Sequence, residues 1–180
     1  MKTKPLTFIL TLFFQLISIT AFSQKTAVLN SLLDKNTEFI FPQTPDKISK
    51  ALNVKTMFYE DANEEKYAKW PTKTGLELYC SLGGNNAVNE MFFTISENKP
   101  VVVEGLPFGL IMNKSTLQDS KTKFSKYNAK TQKLDAGSEF PGGSKLVFKK
   151  GKHYATLLFD HKNLLKFLSL TTGLIDPAAN

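Results

Sequence analysis

Few residues in this chain have the types and spacing for chemistry. It carries two histidines, His153 and His161, and one cysteine, Cys80, and its densest carboxylates are Glu60, Asp61, Glu64 and Glu65. A Ser/His/Asp relay needs its nucleophile on a strained elbow, and no Gly-x-Ser-x-Gly occurs. Asp160 and His161 are neighbours in a turn, where such a pair reads as solvated. Neither histidine has the His-Glu-x-x-His spacing, and Cys80 has no cysteine partner, so zinc finds no ligand framework. A calcium loop alternates oxygen ligands around a central glycine, and Ala62 with no glycine breaks that pattern. Paired-acid glycoside hydrolysis depends on a separation in space, and this acidic run reads as a charged loop tip. Gly83-Gly84 and Gly142-Gly143 lack the downstream Lys-Ser/Thr of a phosphate cradle. The expectation is a protein that is not an enzyme, with no catalytic residue, no metal and no cofactor.

Charge narrows the partners. The 180-residue chain has a formal net charge of +7, and all 23 of its basic residues are lysine. Arginine's planar fork is the usual reader of phosphates and guanine edges, so its absence argues against nucleic acid. A moderately positive, lysine-only surface suits an acidic protein partner.

Compartment is written at the front. Lys2 and Lys4 precede an apolar stretch from Leu6 to Ile19, and Ala21-Phe22-Ser23 supplies small residues for cleavage. Residues 1–23 thus read as a secretory signal peptide, and the mature protein as periplasmic or secreted. The apolar stretch is shorter than the roughly 20 residues that span a bilayer, and no later one approaches that length, so no transmembrane segment is expected once the leader is removed. A single cysteine allows no internal disulfide, and Cys80 shares the alternation of Leu76, Leu78 and Leu82, which predicts an inert buried thiol.

The elements that must position any site follow from periodicity. Residues 24–36 read as an N-terminal helical segment with Val28, Leu29, Leu32 and Leu33 on one face, and residues 37–180 as one α+β domain. Thr37–Phe41 reads as a strand. Thr44 caps a helix opened by Pro45, with Ile48, Ala51 and Leu52 facing inward. Strands are predicted over Val54–Tyr59, Tyr67–Trp70, Leu76–Leu82 and Glu90–Ser96. After Pro100 the order begins again. Val101–Val103 and Phe108–Met112 are extended, and Ser115-x-x-Gln118 forms a capping box for a helix carrying Leu117, Phe124 and Tyr127. Strands follow at Lys145–Lys149, His153–Asp160 and Leu164–Thr171. The pattern predicts a single antiparallel sheet with helices packed on one face, built from two tandem repeats, about 37–98 and about 99–172.

Gly105-Leu106-Pro107-Phe108-Gly109-Leu110 runs into the capped helix at Ser115 and then a sheet. Behind a secretory leader, this order resembles the beta-lactamase-inhibitor-protein-like architecture, whose members include secreted or periplasmic inhibitors, immunity-type proteins and small outer-membrane assembly lipoproteins. The resemblance implies the fold, a tandem helix-plus-sheet unit, ahead of any particular activity. Two features depart from that group: its inhibitors carry disulfides, and its outer-membrane members carry a lipidation cysteine.

Alternation also assigns a second sheet face. If Leu76, Leu78, Cys80 and Leu82 point at the helices, Tyr79, Phe92, Lys145, Val147, Tyr154, Thr156 and Leu158 look the other way. Such a mixture is too apolar for idle surface and marks a binding patch, unless the loop around Pro141 or the N-terminal helix covers it or the face pairs with itself in a dimer. Trp70 and Phe140, both beside prolines, are rim anchors in the first case and core plugs in the second. The functional expectation is a non-catalytic binding protein, an inhibitor or immunity factor against an envelope-targeting toxin or enzyme. The alternative is an envelope-associated accessory protein that binds lipid or peptidoglycan.

Overall fold

The computed structural model describes residues 25–26, 29–96 and 98–173. The expected leader, and Val28 of the expected N-terminal helix, lie outside the described residues. Strand β1 (Lys25–Thr26) is followed by a single 3-10 turn, Asn30–Leu32, which buries Leu29 and Leu32.

Helix α1 (Pro45–Leu52) begins where the sequence dictates. Thr44 is extended and its hydroxyl oxygen accepts from the Lys47 N–H at 3.4 Å, while Pro45 fills a first-turn position that needs no donor. It ends at Asn53, which takes a left-handed φ of 51°. Ile48 and Leu52 are buried.

Four strands then form an antiparallel meander: β2 (Met57–Glu60), β3 (Lys66–Pro71), β4 (Glu77–Ser81) and β5 (Met91–Thr94). The short β6 (Val103–Glu104) pairs in parallel with β1, apart from the main sheet. Helix α2 (Leu117–Phe124) precedes a second meander of β7 (Lys130–Lys133), β8 (Ser144–Lys150), β9 (His153–Phe159) and β10 (Leu165–Thr171). The two meanders join antiparallel through β5 and β10, giving one eight-stranded sheet in the order β2-β3-β4-β5-β10-β9-β8-β7. This is a single α+β domain.

The main core lies on one face of that sheet. Ala68, Leu78, Phe93, Leu168, Leu157 and Leu146 are fully buried there, one from each of six successive strands, in the same cluster as Ile48, Leu52 and Phe124 from the helices. Burying that much apolar surface is what lets the fold stand without a disulfide. Trp70 closes the core beneath α1: it is 0% exposed, and its indole N–H donates to the Thr56 hydroxyl at 2.9 Å and the Ser49 hydroxyl at 3.2 Å. It belongs to β3, within the strand predicted over Tyr67–Trp70, and ties that strand to the helix as a core plug, not a rim anchor. On the opposite side of the domain, Phe124 stacks on Phe148 with ring centroids 4.1 Å apart.

Several local expectations are corrected. Thr37–Phe41 makes only an isolated bridge, Leu33 to Phe39, because Asp34 Oδ1 accepts from the Asn36 and Glu38 N–H groups and turns the chain through Thr37 at φ 62°. Pro107–Gly109 is a 3-10 turn with Phe108 at φ 62°, not extended chain. The capping box of α2 is shifted by one residue: Thr116 Oγ1 accepts from the Asp119 N–H at 3.1 Å and donates to its carboxylate at 2.7 Å. Ser115 instead accepts from the Ile111 N–H. Strand β7 was not expected, since Lys-Thr-Gln-Lys at an edge is exposed at every residue and shows no alternation.

Candidate functional site

The residues with chemical potential are dispersed by the fold. His153 opens β9 and His161 follows its end, so a seven-residue strand holds them roughly 25 Å apart. His153 stacks on Phe41 with ring centroids 4.7 Å apart, and burial lowers its pKa, opposed by the charge of Glu38. Asp160 is 4% exposed and committed to its turn: Oδ1 accepts from the Lys162 and Leu164 N–H groups at 2.9 Å each, and Oδ2 lies 3.5 Å from Lys166 Nζ. Burial pushes the Cys80 thiol up to about 12 and shields it completely from solvent. Among the acids, Asp61 holds the β2–β3 hairpin by accepting from Asn63 and Glu65 N–H, and Tyr67 donates to Glu65 at 2.9 Å. Among the described residues no three His, Cys, Asp or Glu side chains stand close enough to hold a metal ion, and no helix is long and apolar enough to cross a membrane.

The seven residues assigned to the second sheet face do share it. Strand register runs one row across all eight strands, Met57–Lys69–Tyr79–Phe92–Ser169–Thr156–Val147–Lys130. The next rows carry Phe167–Leu158–Lys145 and Thr171–Tyr154–Lys149. Tyr79 stacks on Phe92, with centroids 4.8 Å apart and planes 10° from parallel, and Phe92 lies 6.2 Å from Phe167. Lys149 Nζ sits 5.0 Å from the Tyr154 ring centroid, and Lys69 pairs with Glu77 at 2.7 Å.

This face is not uniformly open. The loop between β7 and β8 folds over one side of it and inserts Phe140, 1% exposed, into a second apolar cluster with Leu158 and Phe167, with Tyr79, Phe92 and Leu134 packed around it. Phe140 therefore plugs this cluster and is not a rim anchor. Leu158, Thr156 and Lys145 are correspondingly 4%, 3% and 7% exposed, so a partner touching this face would not reach them as open surface. Tyr79 with Phe92, and Val147 with Tyr154, stay half-buried and form two accessible patches, separated along the row by the buried Ser169 and Thr156. Burial, with Glu139 next in weight, holds the Tyr79 hydroxyl well above its ordinary pKa, and burial raises the Glu139 carboxyl too.

Two further features escaped sequence reasoning. Strand β2 is exposed at every residue, with Met57 55%, Phe58 62% and Tyr59 46% exposed. The signal was the unbroken run Met57-Phe58-Tyr59, but only pairing shows that it forms a sheet edge. A cavity of about 550 Å³ lies where the β9–β10 turn meets the segment after β5, bordered by Asn98, Lys99, Asn113, Asp160, His161 and Lys166. Asn113 bridges its wall by donating to the Lys99 and Val101 carbonyls, both at 2.7 Å.

No family model and no curated protein matches the chain. Among solved structures, it is similar to a DUF4309 family protein, YjgB, from Bacillus subtilis, at 8% identity over 75% of this chain and 82% of that one, with a TM-score of 0.42. A likeness at that level assigns neither a family nor a function.

Proposed function

We propose that this is a non-catalytic binding protein of the periplasm or the extracellular space, delivered by its leader and acting through the sheet face opposite the helices. Its partner is another protein, and an inhibitory or immunity role toward an envelope-targeting toxin or enzyme fits that mode of action. The observation that carries the reading is a pair of half-buried patches on one sheet face, Tyr79 with Phe92 and Val147 with Tyr154. It places aromatic rings beside Lys69 and Lys149 on a rigid sheet, the makeup of an interface centre with a charged margin. The two meanders, each preceded by a short helix and joined through their last strands, support the further proposal of a tandem repeat of the beta-lactamase-inhibitor-protein-like kind.

The test is to immobilise the protein, identify what it retains from an envelope extract of its host, and repeat with Tyr79→Ser and Tyr154→Ser combined. The reading expects a specific protein to be retained by the wild type and lost by the double variant, which stays folded at the assay temperature with a thermal midpoint lowered by roughly 10 °C, because Tyr79 also packs on the second apolar cluster. Equal retention by both, or retention of nothing, overturns it.

A further inference from the structure

The two edges of the eight-stranded sheet are built differently. At β7 the edge reads Lys-Thr-Gln-Lys, and two lysines on a four-residue strand repel a copy of themselves. At β2 it reads Met-Phe-Tyr-Glu, with no proline, no bulge and no lysine inside the strand, and all four residues are exposed. Among the described residues, no strand lies beside its outer row of backbone N–H and C=O groups in the sheet. Such an edge, left bare, is a template for pairing with another chain.

The flanking charges say which chain. The segment reads Lys55-Thr56-Met57-Phe58-Tyr59-Glu60-Asp61. In antiparallel pairing, residues whose backbone groups point outward must meet residues that also point outward, so partners across a two-fold axis have the same parity. Centring the axis on Phe58 sets Met57 against Tyr59 and Lys55 against Asp61. Moving the axis to Met57 sets Lys55 against Tyr59, and moving it to Tyr59 sets Asp61 against Met57. Only the first register gives the lysine an acid and the apolar residues one another.

We infer that β2 is a self-pairing edge, through which two copies of this chain join antiparallel about Phe58, with Lys55 of each copy opposite Asp61 of the other. The pairing would extend the sheet across the dimer and cover the apolar edge that a single chain exposes. It does not depend on the second face being a binding site.

Sedimentation of the purified protein over a range of concentrations tests this. The expected result is a reversible dimer, with Phe58→Lys raising its dissociation constant at least tenfold and leaving the thermal midpoint nearly unmoved, since this side chain is 62% exposed. Phe58→Cys provides the register test, because a residue on the axis meets its own copy. Under mild oxidation it should form a linked dimer, and Met57→Cys should not; Cys80 is buried and does not compete. A protein that stays monomeric at millimolar concentration overturns the inference, as does a dimer that survives Phe58→Lys or a Met57→Cys variant that links more readily than Phe58→Cys.

Discussion

Adjacent glycines in the loop that covers the second face separate steric from conformational strain. At Gly143 a methyl group would lie 2.0 Å from the Phe159 carbonyl oxygen and 2.9 Å from that of Phe140. Both obstacles are backbone, and Phe159 is held by its pairing with Ser144, so neither can give way cheaply. Gly143→Ala must therefore lift the Phe140–Gly143 turn off the sheet. Doing so breaks the Gly143 N–H to Phe140 carbonyl bond at 3.0 Å and the Leu134 N–H to Gly143 carbonyl bond at 3.1 Å. It also withdraws Phe140 from between Leu158 and Phe167. Losing a buried phenylalanine costs about 3–5 kcal/mol, and each lost hydrogen bond about 1 kcal/mol. Since the turn can settle elsewhere, about 4 kcal/mol is expected, a large share of a domain's usual 5–15 kcal/mol or so. Gly142→Ala is the control: Gly142 has a φ of 71° and nothing within 4 Å of an added methyl, so only the left-handed backbone penalty of about 1 kcal/mol applies. Urea unfolding of both variants reads the difference. If Gly143→Ala is no more destabilising than Gly142→Ala, the packing of this loop against β9 is wrong.

Two other outcomes are expected. The Cys80 thiol, through burial, and the Tyr67 hydroxyl, chiefly through its hydrogen bond to Glu65, are each pushed up to about 12, from ordinary values of 9.0 and 10.0. Because folding raises both, the neutral groups favour the folded state fully below pH 9 and lose that contribution as pH climbs toward 12. Thermal midpoints should fall across that window and fall less in Cys80→Ala, and a flat profile would refute the assignment. Asp160→Ala removes an acceptor from two turn N–H groups and takes a carboxylate from beside the buried Lys166, and should cost about 3 kcal/mol by urea unfolding. Asp160→Asn, which keeps the Oδ1 acceptor, should cost less; equal effects would mean that the charge matters and the turn does not.

Much of the architecture was legible because it depends on local pattern. The Thr44-Pro45 start of α1 follows from one hydroxyl and one fixed φ, and the face assignments of β4, β5, β8 and β9 follow from a period of two. Where the chain departs from expectation, a side chain overrides the period. Asp34 captures two backbone N–H groups and bends what would have been a strand, and Thr116 takes the cap from Ser115 because its partner Asp119 can both accept from it and be capped by it. The seven face residues were assigned to the correct side. Their accessibility was not legible, since Phe140 reaches Leu158 from a loop whose docking is a long-range contact.

By itself, the sequence determined the apolar alternation that buries one face of the sheet across its central strands, the inertness of Cys80 and the absence of arginine from any recognition surface. Those are properties of residues and their nearest neighbours. The tertiary structure decided which strands are edges, and so that Met57-Phe58-Tyr59 lies bare while the equally exposed β7 is guarded by lysines. It also decided that Phe140 covers Leu158 and Phe167 on the face where Tyr79 and Phe92 stay half-buried. Edge and cover are relations between segments far apart in the chain, set by the joining of β5 to β10 and the seating of one loop, and no local spacing encodes them.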